Sequence, residues 1–246
     1  MARFNDSEDP RRRLLLQALA AGLLGNGLSP TALAGPFGNV PRELPAGRSI
    51  YTLQGDVRVN AKPATLHTRI TTSDVVETGK DGEIIFVVGK DSFLLRANSR
   101  LLLTPELTQR RSTAQDVVGN IKLFAGKLLT AFATRTHRIE TPTVVVGVRG
   151  TGVYLETNPE ETYFCTCYGV VDIRAVADPS SQETIEATHH DKPRYITAKG
   201  GDGKRIRPAP MINHTDQELM LIEELVGRTP PFVFPMDDYG GPRREY

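Results

Sequence analysis

The sequence predicts a mainly β protein that closes with one amphipathic helix, on three observations. Short runs rich in β-branched and aromatic residues recur between Ile50 and Val176 at spacings of about 8–12 residues, with no long helical period. Turn-forming clusters separate them: Gln54-Gly55-Asp56, Lys80-Asp81-Gly82, Gly89-Lys90-Asp91, Ala97-Asn98-Ser99, Ala125-Gly126-Lys127 and Tyr168-Gly169. Far downstream, Thr215-Asp216-Gln217-Glu218 has the pattern of a capping box and opens an apolar stripe of Leu219, Ile222 and Val226.

Taken in order, the predicted strands are Ile84–Val88, Ser92–Leu95, Leu101–Leu103, Ile121–Phe124, Leu128–Phe132, His137–Glu140, Thr143–Val148, Val153–Glu156, Thr162–Cys167 and Val170–Val176. The stretch Pro179–Arg207 is polar and reads as irregular, apart from a strand at Tyr195–Thr197. The helix is expected over residues 216–226, widened by Leu221 and Leu225 and stopped by Gly227 and Pro230-Pro231.

The chain divides into residues 1–34, a leader; 35–49, a Pro- and Gly-rich linker; 50–176, the β domain; and 177–246, an extension that carries the helix. In the leader, Arg11-Arg12-Arg13 precede a short apolar run, and a small-residue site ends at Ala34. A basic cluster, an apolar run and such a site make a signal peptide cleaved after Ala34, so the mature protein is expected in the periplasm. Gln17 and Gly25-Asn26-Gly27 break the run, which leaves it too short to span about 30 Å of hydrocarbon. No other segment is apolar enough for a span, so none is expected in the mature chain. Arg11 and Arg12 followed by leucines resemble a twin-arginine signal, the route of proteins folded before export; a general secretory signal is the alternative.

Charge excludes one class of partner. The chain holds 30 basic and 29 acidic side chains, and beyond the leader the two balance. A nucleic-acid partner is not expected, because such binding rests on a basic face that neutralises phosphates. Catalytic signatures are missing too: there is no Gly-x-Ser-x-Gly, no His-Glu-x-x-His and no phosphate-binding glycine loop. Gly200-Gly201-Asp202-Gly203-Lys204 precedes no helix and reads as a loop.

Several segments together resemble the FecR domain. They are Gly55-Asp56-Val57-Arg58-Val59, the stretch Asp74–Glu83, the strand-turn-strand from Ile84 to Ser99, and Ile121–Lys127 with its glycine turn. The most specific is Glu140-Thr141-Pro142 followed by an alternating apolar strand and Arg149-Gly150-Thr151. The resemblance covers about half of the chain and implies an all-β domain of β-roll or solenoid type. It also implies a non-enzymatic interaction module with a link to envelope signalling and another envelope protein as partner. Membrane-bound members of that family place a sigma-factor-binding segment and a membrane helix ahead of the domain. The short leader here leaves no room for either, so direct control of a sigma factor is not expected. In physical terms the Arg-Gly-Thr element reads as a corner brace. Gly150 would supply a bend, Arg149 a fork of donors for carbonyls or a carboxylate, and Thr151 a bond to neighbouring main chain.

The two cysteines, Cys165 and Cys167, lie in a predicted strand and therefore on one face of it. An even count in an oxidising compartment suggests a disulfide. Same-face neighbours in an extended strand, however, stand about 6–7 Å apart, against the roughly 3.5–4.5 Å between Cβ atoms that a disulfide needs. With His189, His190 and His214 downstream, two thiolates and two imidazoles could close a tetrahedral site for zinc, or for copper, which soft thiolates also suit. Three readings stay open: a metal or redox site, a disulfide, and unpaired structural thiols. A thiol enzyme is disfavoured, since no oxyanion-donor pattern surrounds either cysteine.

Overall fold

The computed structural model of the protein describes residues 43–105, 118–133, 136–199 and 204–232. The leader, with Arg11, Arg12 and the cleavage position after Ala34, lies outside the described residues. Among those described are fourteen strands and one helix. The strands are β1 (Ile50–Gln54), β2 (Val57–Val59), β3 (Lys62–Pro63), β4 (Val75–Thr78), β5 (Glu83–Val88), β6 (Asp91–Leu95) and β7 (Arg100–Pro105). They continue with β8 (Val118–Ala131), β9 (Thr136–Glu140), β10 (Val144–Thr157), β11 (Glu161–Ala175), β12 (Gln182–Ala187), β13 (Arg194–Thr197) and β14 (Ile206–Pro208); the helix is α1 (Asp216–Glu224). The mainly β class and the C-terminal helix are as the sequence predicts.

Three pairs of predicted short strands are single long ones. Ile121–Phe124 joins Leu128–Phe132 in β8, Thr143–Val148 joins Val153–Glu156 in β10, and Thr162–Cys167 joins Val170–Val176 in β11. Gly126 and Gly169, which look like turns between strands, are bends within them, and Gly150 supplies the bend expected of it. Gly126, Gly150 and Gly169 have φ of 101°, 57° and 93°, a region that L side chains rarely enter. Pairing slips in register between Arg149 and Gly152, the mark of a bulge, and then resumes.

Each long strand therefore changes neighbours halfway. The first part of β10 pairs with β9 and its second part with β8, while β8 itself pairs first with β7 and β9 and then with β6 and β10. The β8–β9 pairing is parallel and the others are antiparallel. The sheet thus folds back on itself. Phe86, Phe93, Val153, Leu155 and Phe164 from one half meet Leu101, Leu123, Ile139, Val146 and Ile173 from the other in a single core. Phe86 and Phe93 stack at 4.9 Å. Burying each such side chain contributes about 1.5–3 kcal/mol before entropy is counted, so this core carries most of the fold. The pairing path runs open from β14 to β3.

The segment from Pro179 to Arg207 holds more order than its composition suggests. β12 pairs with the far end of β11, β13 with its near end, and β14 with β13. In β12 only Ile185 and Ala187 are buried, which is why its alternation is faint in the sequence. At the other end, the Leu44 N–H donates to the Leu225 carbonyl, so the end of the predicted linker lies against the helix.

Helix α1 begins as its capping box predicts. Thr215 accepts from the Glu218 N–H at 3.3 Å, and the Glu218 carboxylate accepts from the Thr215 N–H at 2.9 Å. It ends at Gly227, with φ of 70°, where the Arg228 N–H returns to the Glu223 carbonyl. Leu219, Ile222, Leu225 and Val226 cover the outer face of the sheet, against Ile85, Leu94, Leu129, Tyr154, Tyr163, Cys165 and Cys167. Among the described residues no helix is long and apolar enough to cross a membrane.

Candidate metal centre

One row of directly paired residues crosses the sheet beneath α1: Ile85, Leu94, Leu129, Tyr154 and Cys165. The alternation of β11 puts Cys165 and Cys167 on this outer face, while Phe164 joins the inner core. Both thiols are free and buried. Two later segments carry imidazoles to them. His190 follows β12 in a left-handed conformation (φ 51°), and its N–H donates to the Cys167 carbonyl at 3.0 Å. His214 stands just before the helix cap, after left-handed Asn213 (φ 57°), and stacks on the Tyr154 ring at 4.4 Å. One ligand atom from each of Cys165, Cys167, His190 and His214 lies within 4.8 Å of all the others, and all four residues are buried.

Hydrogen bonds set the tautomers. The His214 Nδ1 lies 2.7 Å from the Ile212 carbonyl, which can only accept, so Nδ1 carries the proton. The His190 Nε2 lies 3.0 Å from Asp216 Oδ1, and by the same logic carries its own. Neutral rings would then turn two lone pairs toward each other, His190 Nδ1 and His214 Nε2, across 2.9 Å. Something electrophilic must sit there: either a proton or a metal. Cys165 Sγ is 3.6 Å from the same His190 nitrogen.

In the metal-free form the two thiols shift in opposite directions. A hydrogen bond from Cys167, then those from His190 and His214, lower the Cys165 pKa against the burial that would raise it. Burial, and next the neighbouring Cys165, push the Cys167 thiol up. Burial disfavours charge on His190, but its bonds to Cys165 and Asp216 outweigh that and raise its pKa.

The dimensions suit a metal. Tetrahedral zinc, with bonds of about 2.0–2.1 Å to nitrogen and about 2.3 Å to sulfur, separates its ligand atoms by about 3.3–3.8 Å. The sulfur–nitrogen spacing falls in that range, and the nitrogens need part by only a few tenths of an ångström. The carbonyl and carboxylate behind the two rings are the partners that metal-bound histidines ordinarily have.

A buried polar frame holds the approach segment. Arg96 donates to Glu218 Oε1 at 2.6 Å, to the Tyr154 hydroxyl at 2.9 Å and to the Asn213 carbonyl. Tyr154 in turn donates to Glu156 Oε1 at 2.6 Å, which also accepts from Asn213 Nδ2 at 2.7 Å. Burial opposes the charge on Arg96, yet Glu218 and Tyr154 more than offset it, and its pKa is raised. Behind Cys167, Tyr168 donates to Glu223, which Arg228 also engages at 2.7 Å.

Of the five metal-ligand candidates, four meet. His189 does not join them; it is half-exposed and bonds Asp216 Oδ1 at 2.9 Å. Asp216 was hidden from sequence reasoning inside the capping box, where it reads as an ordinary first-turn acid. The corner element departs from expectation. Gly150 does make the bend, but Arg149 is exposed and bonds no described residue, so it braces nothing there. The Thr151 hydroxyl is buried without a hydrogen-bond partner, and its methyl fills the space beside Gly169. The bulge is held by packing at Thr151 and Gly169, with no bond from either predicted donor.

No family model matches the chain, and no curated protein matches it. Among solved structures, two crystal structures described as "a putative anti-sigma factor from Parabacteroides distasonis ATCC 8503" are similar to it, at 10% and 9% sequence identity with TM-scores of 0.42 and 0.43. Each alignment covers 55% of this chain, which spans 58% of that chain's length.

Proposed function

We propose that the protein is an exported, periplasmic, non-enzymatic β module of the FecR type that holds a divalent metal, zinc, at Cys165, Cys167, His190 and His214. One observation carries the reading: two imidazoles whose outer N–H groups are committed to Ile212 and Asp216 face each other across 2.9 Å beside two buried cysteines. A two-sulfur, two-nitrogen set of tetrahedral size suits zinc, with copper(I) the competing soft ion. Four protein ligands leave no position for substrate or reactive water, so the metal's role is to tie segments together. It links β11, the turn after β12 and the segment that enters α1. If the leader takes the twin-arginine route, the metal is loaded in the cytoplasm before export.

The test is intact mass and metal analysis of the mature protein, purified from the periplasm without chelator. One zinc per chain, lost in Cys165→Ser, is expected. A reduced, metal-free and fully folded protein would overturn the reading. A mass two hydrogens lighter would instead identify a disulfide.

A second reading, binding of another envelope protein, is favoured by the open sheet. Its path ends at β3 and β14, and β12 is a further edge whose backbone could accept an added strand. A photo-crosslinker at exposed Thr184 should capture one envelope protein in cells; labelling no different from that of a crosslinker on an unrelated loop would count against it.

A further inference from the structure

The group that orients His190 has donor atoms of its own. His189 Nε2, His190 Nε2 and Asp216 Oδ1 lie within 4.8 Å of one another, with Asp216 Oδ1 at 2.9 Å from the first and 3.0 Å from the second. The His189 side chain is 47% exposed and that of Asp216 24%, so the trio opens to solvent, while Phe232 packs on the His189 ring at 4.4 Å. Its spacing also admits an ion. Donors at about 2.1 Å from an ion and at right angles to one another stand about 3.0 Å apart, the edge of an octahedral or tetragonal site. The two edges to Asp216 have that length. Two imidazoles and one carboxylate on one side, with the other side open, suit a borderline divalent cation.

We propose that His189, His190 and Asp216 form a second, solvent-open metal position for a zinc- or copper(II)-class ion, sharing His190 as a bridge with the buried four-ligand centre. This rests on the four-ligand reading for the shared half. His190 reaches inward through Nδ1 and outward through Nε2. Binding of the second ion breaks the His190 Nε2–H bond and sends that proton to solvent, while the His189 proton passes through solvent from Nε2 to Nδ1, so that both Nε2 atoms are free to bond the metal. The charges then balance twice: two thiolates against the inner ion, and an imidazolate with a carboxylate against the outer one. The inner site is closed and the outer is open, so the outer ion exchanges faster.

The test is cobalt(II) titration of the mature chain, read by thiolate-to-metal charge-transfer absorption and by total bound metal. Two equivalents are expected, the first developing the thiolate band in full and the second adding none. His189→Ala, a change at an exposed side chain, should weaken the second equivalent at least about tenfold and keep the first with its band, whereas Asp216→Asn should weaken the second as much and loosen the inner ion as well, since Asp216 also orients His190. A single equivalent in the natural chain would overturn the proposal and leave Asp216 as an orienting residue, whose loss weakens the inner ion by about 10–100-fold. A second equivalent that survives both substitutions would mark adventitious binding and overturn it as well. A His189-dependent equivalent with no thiolate band would overturn the bridge together with the four-ligand reading, whereas failure of the second equivalent alone leaves that reading standing.

Discussion

Phe164 and Cys165 are neighbours in β11 that face opposite sides of the same sheet, and the two sides are built on different principles. The inner side is an apolar core in which Phe164 meets other aromatic and branched side chains. The outer side buries two thiols, two histidines, tyrosines, Arg96, Glu218 and Glu223 under a short helix. An apolar core is stabilised by removal of surface from water and tolerates exchange of similar shapes. A buried polar layer is stable only while each group keeps its partner, so single losses there should be severe and chemically specific.

The contrast can be broken most forcefully at Arg96. Arg96→Ala strands the Glu218 carboxylate and the Asn213 carbonyl in a buried site, and should cost about 3–5 kcal/mol. Urea denaturation would show it as a lower midpoint, and a loss under about 1 kcal/mol would mean that the polar frame contributes little. Gly152→Ala comes next. A Cβ there would stand 2.7 Å from Tyr168 Cε1 and 2.9 Å from Leu219 Cδ1, where the helix seats. Overpacking of this kind should destabilise by about 1–3 kcal/mol and loosen α1, read as faster amide exchange in the helix than in the inner strands. Thr215→Ala removes the cap and should cost about 1 kcal/mol, restored in part by Asn. The smallest effect belongs to Arg149→Ala, which should lie within about 0.5 kcal/mol of zero, since the side chain is exposed and bonds no other described side chain. A large loss there would mean that the corner is braced after all.

The inner side was the legible one. Recurring β-branched and aromatic runs mark the strands that build it, and the capping box states where α1 starts. What was hidden follows from backbone geometry. Gly126 and Gly169 read as chain reversals because a glycine at positive φ serves a turn and a mid-strand bend equally well, whereas Gly150 read as the bend that it is. β12 escaped notice because an edge strand needs few buried side chains. At the site, the sequence offered His189 and His190 as equals. The left-handed backbone of His190 decides between them, and no residue type announces that a histidine will adopt it. Asp216 looked like an ordinary first-turn acid on a helix, and its second task depends on a turn 26 residues away.

The central claim is that four residues from three segments hold one ion. X-ray absorption at the zinc edge of the mature protein tests it most directly. The account predicts a first shell of two sulfurs at about 2.3 Å and two imidazole nitrogens at about 2.0–2.1 Å, with both sulfurs lost from the shell in Cys165→Ser/Cys167→Ser. A shell of oxygen and nitrogen alone, or no zinc retained in a folded chain, would contradict it.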